Sequence, residues 1–105
     1  MNTILIIEDE PQIRENIQLI LDIQGFATIT AEDGLQGLQM AEQHQPDMII
    51  YDWMMPNLDG YELIQRLRQK PATAEIPFIF SPLKDLRQGM GMGADDYLTK
   101  PFEFQ

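Results

Sequence analysis

Four side chains in this 105-residue sequence have the types and positions to do chemistry together: Glu8, Asp9, Asp52 and Lys100. Glu8 and Asp9 directly follow a β-rich apolar run, T-I-L-I-I at 3–7. Asp52 ends a second such run that begins at Met48, and Lys100 follows the short stretch D-Y-L-T at 96–99. In open parallel sheets the ligand crevice lies beyond the carboxyl ends of the strands, so acids placed there converge when their strands are neighbours. Convergence has an electrostatic cost: two carboxylates about 5 Å apart repel by roughly 3 kcal/mol at an effective dielectric near 20. A Mg2+ ion, which takes oxygen ligands and keeps several waters, would relieve that repulsion. Lys100 would offset one further charge. Such a group has the parts for phosphoryl transfer: a carboxylate nucleophile, a metal bridging oxygens, and a cation for the developing charge. Taken singly, Glu8 or Asp9 is more often a helix cap or a solvated turn, and a lone Asp after an apolar strand is common. Only their joint placement points to chemistry.

The elements that must position these residues alternate. Strands are predicted at 3–7, 26–30, 48–51, 76–80 and 96–99, separated by helices. Pro11 suits a first helical turn, and Ile13, Ile17, Ile20 and Leu21 follow at helical spacing until Gly25. The second helix is predicted over 31–45, with Leu35, Leu38 and Ala41 inward, and Pro46 ends it. The third is predicted over 61–69, with Leu63, Ile64 and Leu67 near one face, and the fourth over 83–92. Strand–helix alternation of this kind predicts one α/β domain, 1–105, with a doubly wound parallel sheet. No linker, repeat or low-complexity tract interrupts it.

Composition limits the function classes. There is no cysteine, so disulfides, thiolate metal sites and cysteine nucleophiles are excluded. The net charge of -10 opposes binding to nucleic acid or to anionic lipid surfaces and favours cations, although acidity also serves solubility alone. No apolar run is long enough for a membrane span and no signal peptide is recognisable, so a cytoplasmic location is expected. His44, the single histidine, reads as a helix-end residue. Neither a P-loop nor a Ser-His-Asp arrangement is present.

Three segments, I-I-E-D-E at 6–10, D-W-M-M-P-N-L-D-G at 52–60 and G-A-D-D-Y-L-T-K-P-F at 93–102, resemble the response-regulator receiver family of two-component signalling. The resemblance spans the chain and implies a flavodoxin-like five-stranded sheet of order 2-1-3-4-5. It implies that Asp52 is the phosphoacceptor. Glu8, Asp9 and Asp52 would hold Mg2+ (or Mn2+), together with the main-chain carbonyl of Met54. Lys100 would contact the phosphoryl oxygens, held by a cis peptide at Pro101, and Tyr97 would be the aromatic switch residue. The implied partner is a sensor histidine kinase or phosphotransfer protein, and the chain is not expected to be a free-standing enzyme. An aspartate-nucleophile phosphatase would place a second Asp where this chain has Met54.

The sequence departs from the family pattern in three places. Ser81 is the candidate for the phosphoryl-contacting switch hydroxyl, but it falls one position early relative to Pro77 and is followed by Pro82. The connection after the fourth strand is shorter than the family's by about four residues, in a loop class that carries function. The sequence ends at Gln105, before the family's fifth helix. A homodimer or a domain swap is one expected cover for the sheet face so exposed. Leu19 and Ile23 widen the apolar face of the first helix in that direction. The alternative reading is a receiver-fold interaction module that does not switch.

Overall fold

Apolar runs with no polar alternation make strands that must be buried on both faces, and this chain has two of them in its first half, at 3–7 and 48–51. The structure is a computed structural model and describes residues 2–52 and 60–81. In chain order these contain β1 (Thr3–Ile7), α1 (Pro11–Ile23), β2 (Ala27–Ala31), α2 (Gly34–His44), β3 (Met48–Asp52), α3 (Gly60–Arg68) and β4 (Phe78–Ser81). The strands form one parallel sheet in the order β2-β1-β3-β4. Its topology is that of the expected flavodoxin-like sheet. The predicted fourth helix and fifth strand lie outside the described residues.

The period of two along the strands divides the core into two layers. Ile4, Ile6 and Ile50 pack with Ile13, Ile17, Ile20 and Leu21 of α1 on one face. On the other face Leu5, Ile7, Ile49, Tyr51 and Phe78 pack with Ala41 of α2 and Leu63 and Leu67 of α3. Each fully buried Ile or Leu contributes about 1.5–3 kcal/mol through apolar area removed from water. Register follows from this layering, because a slip of one residue would move each core side chain to the opposite layer and mismatch both.

Local chemistry sets the helix ends. Gly25, at φ 95°, closes α1: its N–H donates to the Asp22 carbonyl at 3.0 Å, and the Phe26 N–H donates to the Leu21 carbonyl at 3.0 Å. That paired pattern is a Schellman motif, and Phe26 completes it by packing on the α1 core layer. The predicted second strand therefore starts one residue late, at Ala27, because Phe26 belongs to the helix stop. Asp33 caps α2 by accepting from the Gln36 N–H at 2.8 Å.

Two expectations about α2 are corrected. The predicted helix began at Ala31, but Ala31 ends β2, paired with Ile7. Strand pairing takes that residue, and the helix waits for its cap. Leu35 is 64% exposed instead of inward. The buried position belongs to Gly37, where a Cβ would meet the Ile7 side chain, so a larger residue there requires the end of Ile7 to shift. Likewise β4 starts at Phe78, two residues later than expected, with Ile76 buried just ahead of it. The turn before β4 is held by Thr73, whose buried hydroxyl donates to the Leu67 carbonyl at 2.6 Å. Arg68 donates to the Ile76 carbonyl at 3.0 Å.

Candidate metal and phosphoacceptor site

The carboxyl ends of parallel strands share one sheet edge, and β1 and β3 are direct neighbours there, with Ile7 opposite Tyr51. Glu8 and Asp52 are the next residues along each strand, which brings them together at that edge. Glu8, Asp9 and Asp52 each offer a carboxylate oxygen, and these oxygens lie within 4.8 Å of one another. Glu8 and Asp52 are fully buried, whereas Asp9 is exposed. One acidic cluster thus runs from the core of the sheet edge out to solvent.

The loop that carries Glu8 and Asp9 is tied down from several sides. The Glu8 N–H donates to the Ala31 carbonyl at 3.0 Å, extending the β1–β2 ladder by one residue. The Glu8 Oε2 accepts from the Glu10 N–H at 2.8 Å, which turns the chain into α1. Glu10 occupies the N-cap without a capping side-chain bond, and Pro11 begins the helix. Arg14, one turn into α1, reaches back: its Nη1 donates to the Glu8 main-chain carbonyl at 2.9 Å, and its Nη2 lies 3.8 Å from Glu32 Oε1. Arg14 was not singled out by the sequence, because a helix-surface arginine carries no pattern that reveals a backbone partner.

Oxygen-only donors, closely spaced and partly open to water, suit a hard divalent cation that keeps some of its waters. Carboxylates this close repel one another by roughly 3 kcal/mol per pair at an effective dielectric near 20, so the arrangement also needs positive charge. The donor set therefore fits Mg2+ or Mn2+. The buried Asp52 can act as a nucleophile once that charge is balanced.

The structure brings together three of the residues singled out by sequence: Glu8, Asp9 and Asp52. It pairs Ser81 with Asp52 across β3 and β4, so the backbone of Ser81 stands at the same sheet edge. Trp53, Met54, Tyr97, Lys100 and Pro101, including the expected cis peptide, lie outside the described residues. On α1, Leu19 and Ile23 are 57% and 76% exposed. No helix among the described residues is long and apolar enough to cross a membrane.

Comparison with known proteins places this geometry. The family model for the response regulator receiver domain matches residues 4–105. The DNA-binding dual master transcriptional regulator RpaA of Synechocystis sp. is 42% identical over an alignment of 109 positions, covering 100% of this chain and 45% of RpaA. That alignment is longer than the 105-residue chain, so RpaA has positions this chain lacks, in keeping with the expected shortening without locating it. The phosphate regulon regulator PhoB of Pseudomonas aeruginosa is 41% identical, covering 95% of this chain and 45% of PhoB. The chain thus spans about half the length of these curated relatives. Among solved structures, the chemotaxis response regulator CheY4 of Vibrio cholerae superposes with a TM-score of 0.70 at 30% identity, covering 98% of this chain and 89% of CheY4. The complex of histidine kinase ThkA with response regulator protein TrrA matches with a TM-score of 0.66 at 32% identity, over 76% of this chain and 67% of that one. Sheet order, acidic strand ends and these matches agree, and the chain belongs to the response regulator receiver domain family of two-component signal transduction.

Proposed function

We propose that this chain is a phosphoacceptor receiver, and the convergence of Glu8, Asp9 and Asp52 within 4.8 Å carries that reading. Asp52 attacks the phosphorus of a donor phosphohistidine on a sensor kinase or phosphotransfer protein. The new Asp–O–P bond forms as the P–N bond breaks, and the departing imidazole keeps its electron pair and takes a proton. Glu8, Asp9 and Asp52, with the Met54 main-chain carbonyl, would hold Mg2+ or Mn2+, which when bound would neutralise charge on the phosphoryl oxygens. Burial of Asp52 and Glu8 keeps water away from one side of the acceptor.

By the family resemblance, Lys100 would contact the phosphoryl group, with a cis peptide at Pro101 as its expected support. Ser81, whose backbone faces Asp52 in register, is its hydroxyl partner and couples to Tyr97 as the switch. The protein assists its own phosphorylation and dephosphorylation but is not a free-standing enzyme, and it works in the cytoplasm. With a net charge of -10 it does not itself hold nucleic acid. The test is acetyl phosphate with Mg2+, read by intact mass. One phosphoryl group per chain is expected, and no adduct beside a working receiver control contradicts the reading.

A second reading, a homodimerising or domain-swapped interaction module, is favoured by the exposed Leu19 and Ile23 on α1. It requires a solution mass that rises with protein concentration. A constant monomer mass rejects it.

A further inference from the structure

We propose that Arg14 is a positioning residue for the acidic loop, holding the Glu8 carbonyl and bracing it toward Glu32 so that Glu8 and Asp9 present their oxygens to one cation. The inference rests on reading that site as a divalent-cation site. Three observations carry it. The bond from Arg14 goes to a main-chain oxygen at 2.9 Å, between the two acidic side chains along the backbone. The Arg14 side chain is only 15% exposed, so the contact is sheltered from competing water. The fork of the guanidinium spans two elements, with Nη1 on the β1–α1 loop and Nη2 3.8 Å from Glu32, which follows β2.

The same segment is already fixed on its N–H side by Ala31 and turned by the Glu8–Glu10 contact. Arg14 fixes the remaining carbonyl. With all three in place, the peptide between Glu8 and Asp9 has little freedom to rotate, and the direction in which Asp9 leaves the backbone is set. Glu32 is itself steadied, since its N–H donates to Gln36 Oε1 at 2.6 Å. The pair with Glu32 alone would be a weak surface contact, because Glu32 is largely exposed. Its value is to aim the guanidinium.

A purely electrostatic role has the opposite sign. Arg14 is a cation near an acidic site, so removing it would make the site more negative and tighten Mg2+ binding. Positioning makes the same removal loosen binding. Lysine keeps the charge but cannot hold both contacts with one fork. The experiment is calorimetric titration of the full chain with MgCl2 alone, for wild type, Arg14→Met and Arg14→Lys, with melting curves in EDTA. Both variants are expected to bind Mg2+ more weakly, Arg14→Met by roughly tenfold, as for other groups that orient metal ligands. Affinity at or above the wild-type level in either variant overturns the proposal, and a drop in melting temperature with unchanged affinity marks Arg14 as merely structural. Should Arg14→Met fail to fold, Arg14→Lys decides by the same criterion. A wild-type protein that binds no Mg2+ is a different failure: it removes the metal-site reading, and this inference with it.

Discussion

In metal-free buffer, Asp52→Asn is expected to unfold at a higher temperature than wild type. Asp52 is fully buried beside two other carboxylates, and each close pair costs roughly 3 kcal/mol at an effective dielectric near 20. Positive groups near the site offset part of this, so the expected gain is about 1–3 kcal/mol, or roughly 4–8 °C per kcal/mol for a domain of this size. Asparagine is nearly isosteric and keeps an oxygen acceptor, so packing contributes little to the difference. Saturating Mg2+ should reverse the order. The ion stabilises the folded wild type in proportion to the logarithm of its concentration over its dissociation constant, and the variant has lost a ligand. Melting curves of both proteins in EDTA and in Mg2+ check this. Wild type remaining the more stable in both buffers would contradict the claim that the carboxylates repel.

Phe78→Ala is expected to cost about 3–5 kcal/mol, the range for emptying a buried aromatic position. Phe78 is fully buried on β4, with its ring centroid 5.6 Å from Tyr51 and 5.0 Å from Phe80. Tyr51 immediately precedes Asp52, so this aromatic cluster packs the row beneath that carboxylate. Small domains have only about 5–15 kcal/mol of stability in total, so the variant should show a midpoint in urea lowered by a large fraction of its original value. Phe78→Leu should lose less than half as much. Equal losses for both variants would mean that ring geometry, and not filled volume, dominates.

What could be read from sequence depended on whether a residue's role is periodic or relational. The all-apolar runs of β1 and β3 announce strands covered on two sides, and acids at their ends place the site. Ala31 was misplaced because A-E-D-G reads equally well as a first helical turn, and only pairing with Ile7 decides for the strand. Leu35 is expected inward on residue type, yet Gly37, whose Cβ would meet the Ile7 side chain, takes the face of α2 that packs on β1. Ser81 sits one position early when counted from Pro77, and its backbone pairs with Asp52 across β3 and β4. Arg14 was invisible because its partner is a carbonyl, which no side-chain pattern encodes.

Phosphoacceptor chemistry at this site requires one cation shared at the ends of β1 and β3. Titrating wild type, Asp9→Asn and Asp52→Asn with Mn2+, and counting bound ions by electron paramagnetic resonance, tests it directly. One ion per wild-type chain, with affinity sharply reduced in each single variant, is the expected result. Full retention of that ion by either variant would show that the two acids do not share it.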